Sequence, residues 1–318
     1  MTFLALPAYS FKADWRWMAT CLVYPLALIP AVIWFMPFFR KGHVDSAYEY
    51  LEQRFGVWAR LYVASGFVLM QALRMGIILF ATSLALEILL GLDSAIIITC
   101  MGVIVVVYCT LGGLKAVIWT DVIQAVALIA GGALVIPIVL SKITGGAELV
   151  LQEAVSAGKT SLGPTTLEPH VLSIWVILIS HLIIYMQMSC TDQMFVQRYC
   201  APRSLPAARR TLYIGMLATV PLWAYFIVMG TTLWAFYNHN PDPVVATLSP
   251  EEVFPHFITT QVPLGLSGAV AAALCLAAMS TLSSSINAAA SVVKTDFYRR
   301  FLVIDASDRH DLVAGRFF

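Results

Sequence analysis

Residues 277–287, Ala-Ala-Met-Ser-Thr-Leu-Ser-Ser-Ser-Ile-Asn, carry more hydroxyl groups than an apolar helix needs. Ala277, Ser280, Thr281 and Ser284 recur at i, i+3, i+4 and i+7 and so share one helix face. Sodium is a hard cation that takes oxygen ligands, as calcium and magnesium do, and hydroxyls beside a backbone carbonyl could supply them. The same spacing also makes a close-packing face whose hydroxyls bond their own i−4 carbonyls, and taken alone the pattern favours packing. A second polar patch is Asp121 with Gln124, three residues apart on one face of an otherwise apolar run. An ionised side chain at membrane depth costs about 2.5–3.5 kcal/mol on insertion scales, so it needs a partner or a task. By itself, Asp121 is equally well explained by a hydrogen bond to a neighbouring helix. Arg74 and His181, also within apolar runs, read as bundle-facing structural residues.

Enzyme chemistry finds no footing. Neither G-x-S-x-G nor H-E-x-x-H occurs, and the Gly112-Gly113 pair lacks the rest of a phosphate loop and reads as a tight turn. The six cysteines form no C-x-x-C pair and suit packing better than metal or redox work.

The elements that must carry these residues are membrane spans. Of 318 residues, 60% are hydrophobic and 12% charged, about half the charge of an ordinary soluble domain. Mean hydropathy is +0.83. Seven stretches are long enough to cross about 30 Å of hydrocarbon as helices, near 17–39, 61–90, 95–110, 116–140, 171–189, 211–236 and 264–292. Alternate connections hold fourteen Lys and Arg residues against four on the other side, which places the loops 144–170 and 238–263 outside and the C-terminus in the cytoplasm. Net charge is +1, with no basic run that would track nucleic acid, and no obligate protein partner is evident. The absence of an external N-x-[ST] acceptor agrees with a bacterial inner membrane. The apolar stretch 2–11 is only half a span, and the chain reads as truncated at both ends.

Several separated segments resemble the sodium/solute symporter family. They are Thr2-Phe-Leu-Ala-Leu-Pro-Ala, Tyr48-Glu-Tyr-Leu-Glu-Gln-Arg-Phe-Gly56, the run from Leu111 to Gln124, Asp192-Gln-Met-Phe-Val-Gln-Arg198 and the segment from Ser280 to Tyr298. The resemblance implies an all-α, polytopic helical bundle, a partial LeuT-type inverted repeat from the outer half of core helix one to core helix eight. It divides the chain into a partial first repeat (1–143), an external loop (144–170), a partial second repeat (171–304) and a truncated cytoplasmic segment (305–318). By the same resemblance, the Ala277 carbonyl and the Ser280 and Thr281 hydroxyls match the principal sodium site. Asp121, Ser283 and Ser284 match a second sodium site, which joins the two polar patches and turns their reading from packing to function. Thr2 and Asp192 fall where solute contacts lie. Cys21 and Phe226 stand where the sugar-carrying branch has an acidic residue and a lysine, which argues against a glucose-like solute.

The expected function is therefore sodium-coupled import of a small organic solute across the lipid bilayer by alternating access, with no enzymatic step. The rivals are a seven-span receptor, whose layout is similar, and a fragment of a symporter that transports nothing. A paired hydroxyl face and Asp121, together with the opening half-span, separate the symporter reading from the receptor.

Overall fold

The computed structural model describes residues 2–41, 46–168 and 171–303, together with 310, 314 and 315, and no strand occurs among the described residues. Most of the expected cytoplasmic segment 305–318 lies outside them. The helices are α1 (Thr2–Lys12), α2 (Arg16–Lys41), α3 (Glu49–Phe55), α4 (Val57–Leu90), α5 (Ser94–Gly113) and α6 (Val117–Ser141). They continue as α7 (Gly146–Ser156), α8 (Ile174–Thr191), α9 (Gln193–Cys200), α10 (Leu205–His239), α11 (Pro250–Gln261) and α12 (Gly265–Phe301). Seven of them, α2, α4, α5, α6, α8, α10 and α12, are long and apolar enough to span a bilayer. Each overlaps a stretch expected from hydropathy, with α10 starting six residues earlier and α12 running nine residues further than expected.

Local chemistry sets the breaks. Gly113 divides α5 from α6 at φ 56°, ψ −158°, a conformation open to glycine and strained for residues with a Cβ. Asp192 divides α8 from α9: its backbone is extended, and its carboxylate accepts the Met194 amide at 2.8 Å as an N-cap. Helix α2 widens to a π-turn at Ala31–Phe35, just after Pro30, and α12 does so at Val293–Tyr298.

The two long loops, 144–170 and 238–263, contain helices that hydropathy alone does not reveal. Helix α11 begins with a capping box between Ser249 and Glu252 and a proline in its first turn. It buries Val253, Phe254, Phe257 and Ile258. Helix α7 buries Val150 and Ala154 and is tied to the end of α10 by Glu153 and His239, 2.8 Å apart. At 11 and 12 residues both helices are too short to cross a bilayer, and α11 leaves a polar face opposite its buried one.

The half-span α1 lies against α10 and α11. Phe3 meets Phe226 and Phe254 at ring-centre distances of 5.2 and 5.4 Å, and Ser10 Oγ donates to the Ile227 carbonyl at 2.7 Å. At Gly230 the two backbones come so close that a Cβ would collide with the Pro7 carbonyl and the Ser10 hydroxyl. Helix α12 packs along α4, α5 and α6. A Cβ on Gly131 would stand 2.8 Å from that of Ala273, and Tyr108 donates from α5 to the Met279 carbonyl at 3.2 Å.

The two ends of the bundle are stitched differently. At one end Lys159 Nζ donates to the Phe11 and Ser10 carbonyls at 2.6 and 3.3 Å, which ties the segment after α7 onto the end of α1. Burial pushes this ammonium down to about 8. At the other end Arg60 bonds Asp296 at 2.5 Å and Glu52 at 2.7 Å, and Arg300 also reaches Glu52 at 2.8 Å. Arg300 and Arg60 hold the Glu52 carboxyl below its ordinary range. Arg40 Nη1 meets the Tyr199 and Pro202 carbonyls at 2.9 and 2.8 Å.

Candidate functional site

The hydroxyl face of α12 points into the bundle. The Thr281 hydroxyl donates to the Ala277 carbonyl at 3.3 Å, a long bond that keeps two oxygens side by side on one turn. Ser280 Oγ donates instead across the helix gap to Asp121 Oδ1 at 2.6 Å. Ser280 thus links the three principal-site positions to α6, and Ala277, Ser280 and Thr281 occupy consecutive turns of one face. Their oxygen chemistry, two hydroxyls and a carbonyl, fits sodium.

The second expected set is only partly assembled. Ser284 Oγ lies 3.5 Å from Asp121 Oδ2, whereas Ser283 Oγ donates to the Ser280 carbonyl of its own helix at 3.0 Å. Sequence reasoning gave no role there to Arg198, yet its Nη2 lies 3.0 Å from Asp121 Oδ2 and 2.5 Å from Ser284 Oγ. The signal was present: a cation on the short helix following a helix break needs a carboxylate when it faces a bundle.

A cavity of about 1820 Å³ is lined by Thr2, Gln71, Arg74, Asp192 and Thr281, together with aromatic residues including Trp34, Phe38 and Tyr48. The two expected solute contacts, Thr2 and Asp192, therefore share one cavity with Thr281, which is expected at the principal sodium site. Arg74 adds a group that sequence reasoning set aside as structural. Among the described residues its Nη1 meets only the Met194 sulfur, at 3.7 Å, so the guanidinium keeps most of its donors for the cavity. Gln71 Oε1 is buried there without a hydrogen-bond partner among the described residues. The break at Asp192 also ends α8 and starts α9 at the cavity, and Asp192 itself caps the new helix, its carboxylate accepting the Met194 amide and its carbonyl the Phe195 and Val196 amides. Cys21 is half-buried on α2, and Phe226 is buried in the apolar core.

Comparison with known proteins agrees with this geometry. The Sodium:solute symporter family model matches residues 1–317. The sodium/sialic acid symporter SiaT of Proteus mirabilis is 34% identical over 306 residues, covering 94% of this chain and 61% of its own length. The human sodium-coupled monocarboxylate transporter 1 is 33% identical over 311 residues, covering 95% of this chain and 50% of its own length. This chain thus spans one-half to three-fifths of these two relatives. A solved Na+-coupled sialic acid symporter, in a substrate-bound outward-open state with a novel Na+ site, superposes with a TM-score of 0.94 at 31% identity. That match covers 99% of this chain and 67% of the other. These relatives are named transporters, not enzymes or receptors. Seven spans, a helix broken at Asp192, a half-span held against α10 and a hydroxyl face opposite Asp121 are thus found in a polytopic membrane protein that belongs to the sodium:solute symporter family.

Proposed function

We propose that this chain carries the ion and solute sites of a sodium-coupled importer of small organic carboxylates. The observation that supports it is Arg74, an always-charged group within a membrane span that lines the same cavity as Thr281. A carboxylate offers Arg74 the two acceptors its planar fork is shaped to meet. The named relatives carry sialic acid and monocarboxylates, and both solutes are acids. Thr2, Gln71 and Asp192 would set how the remainder of the solute lies.

Sodium, as co-transported substrate, supplies a positive charge that the Ala277 carbonyl and the Ser280 and Thr281 hydroxyls would hold. Binding there favours whichever arrangement of α12 and the first core helix presents these oxygens together, and it shifts the conformational equilibrium only by its differential affinity. Because Thr281 lines the solute cavity, ion and solute would each stabilise the same arrangement, which is the thermodynamic content of coupling. Alternating access follows if that arrangement opens outward. The charge asymmetry supports an orientation with the Lys159 end outside and the Arg60 end in the cytoplasm, and the bacterial relatives support an inner membrane.

The test is binding of sialic acid and of lactate to purified protein in sodium, followed by calorimetry. Arg74→Gln should weaken binding of the bound acid at least tenfold, since it removes a charge-assisted fork. Sodium-dependent thermal stabilisation should persist in that variant. Equal affinity for an uncharged analogue, or no effect of Arg74→Gln, would refute the carboxylate assignment.

A further inference from the structure

We propose that Arg198 is a tethered competitor for the cation at Asp121, so that sodium binding there and release of α9 are one event. The inference rests on reading Asp121 as part of a second sodium site.

The guanidinium occupies the oxygen set that such a cation would use. Asp121 Oδ1 already accepts Ser280 at 2.6 Å, and Oδ2 receives Arg198 Nη2 at 3.0 Å. The same Nη2 donates to Ser284 Oγ at 2.5 Å, so both groups facing Asp121 Oδ2 are engaged at once. Arginine does not shed its proton in proteins, and one carboxylate balances one cation. Sodium beside a retained guanidinium would leave an uncompensated positive charge among helices, which is costly at membrane depth. The two cations therefore exclude each other at Asp121.

Exchange is physically accessible. The Arg198 side chain is 44% exposed and that of Asp121 22%, so the guanidinium has room to swing out on its flexible stem. Its displacement has a mechanical result, because α9 is only eight residues long and begins at the Asp192 break. Arg40 holds its far end through the Tyr199 and Cys200 carbonyls, and Gln193 Oε1 accepts the Ala47 amide at its start. The Arg198 contact with Asp121 and Ser284 joins α9 to α6 and α12. Sodium at Asp121 would cut that polar link, leaving α9 held by Arg40, by Ala47 and by the apolar cluster that Val196 and Tyr199 share with Val292 of α12, and so freer to shift.

The test uses purified protein with radioactive sodium binding as readout and the thiol reactivity of native Cys200 as a report on α9. Arg198→Gln should lower the sodium concentration for half-saturation by roughly three- to fivefold, the scale of a half-exposed ion pair. Arg198→Lys, which keeps the charge, should bind sodium nearly as the native protein does. In the native protein, sodium should speed Cys200 labelling, and in Arg198→Gln labelling should already be fast without it. Unchanged or weaker sodium affinity in Arg198→Gln, in a sample as monodisperse as Arg198→Lys, would overturn the competition. Asp121→Asn separates the two levels of inference. If it leaves sodium binding intact, the second-site reading fails; if it weakens binding while Arg198→Gln has no effect, the site stands and the competition fails.

Discussion

The buried pair at the Arg60 end of the bundle gives a prediction whose size and asymmetry follow from its bonds. Asp296 Oδ1 accepts Arg60 Nε at 2.5 Å and Ser46 Oγ at 2.7 Å, and its side chain is fully buried. Its second oxygen, Oδ2, has no hydrogen-bond partner among the described residues. Arg60 is better supplied, with Glu52 at 2.7 Å and the Thr295 carbonyl at 3.2 Å as further partners. Removing Arg60 leaves a buried carboxylate with one hydroxyl, and stranding a buried charge costs about 3–5 kcal/mol. Replacing Asp296 by Asn leaves Arg60 still paired to Glu52, so only a charge-assisted bond is lost, about 1.5–3 kcal/mol. Arg60→Met should therefore destabilise more than Asp296→Asn. The double variant Arg60→Met/Asp296→Leu, which removes both buried charges and strands only neutral groups, chiefly the Ser46 hydroxyl, should be more stable than Arg60→Met alone. The assay is reversible unfolding in mixed micelles titrated with a denaturing detergent, followed by tryptophan fluorescence. Equal costs for the two single variants, or a double variant worse than their sum, would refute the claim that desolvated charge governs this end of the bundle.

Three further outcomes are expected. Gly230→Val should cost about 1–3 kcal/mol by driving α1 off α10, measured by thermal unfolding against Gly215→Ala, where a Cβ meets open space. Lys159 is held down to about 8 in the folded protein against 10.5 ordinarily, so between those values the unfolded chain binds more protons and stability should rise with pH. Lys159→Met should flatten that slope in thermal melts taken from pH 7.5 to 10.5, and a slope that persists would show another group responsible. Thr281→Ala should raise the sodium concentration for half-maximal thermal stabilisation about fivefold, or about 1 kcal/mol; no change would count against the principal site.

The spans were legible because hydrocarbon imposes a length and a composition that sequence displays directly. The asymmetry of Lys and Arg was equally plain, and the structure gathers Lys159 at one end and Arg60 and Arg300 at the other. What sequence alone could not supply was juxtaposition. Asp121 and Ser280 are 159 positions apart, and only the family resemblance placed them together before their 2.6 Å bond was seen. Arg74 and Arg198 were weighed as structural or passed over, because a helical pattern shows that a residue lies on a face but not what stands opposite. The helices α7 and α11 escaped because neither is an apolar run of span length, at 11 and 12 residues, although the Ser249–Glu252 cap is legible in the sequence. The π-turns left no signal beyond Pro30.

The π-turn at Val293–Tyr298 bears on which length changes the chain tolerates. A π-turn accommodates one residue more than the surrounding α-helical ladder, and it buries Thr295 and Asp296 while α12 continues beyond it. Deleting that extra residue would let the ladder close as α-helix and leave Arg299 and Arg300 on nearly the face they occupy now. The same deletion in an ordinary α-helical stretch of α12 would turn everything beyond it by about 100°, and Arg300 would lose Glu52. This turn is therefore the position in α12 where one lost codon could be absorbed as regular helix with the Arg300–Glu52 contact still in reach.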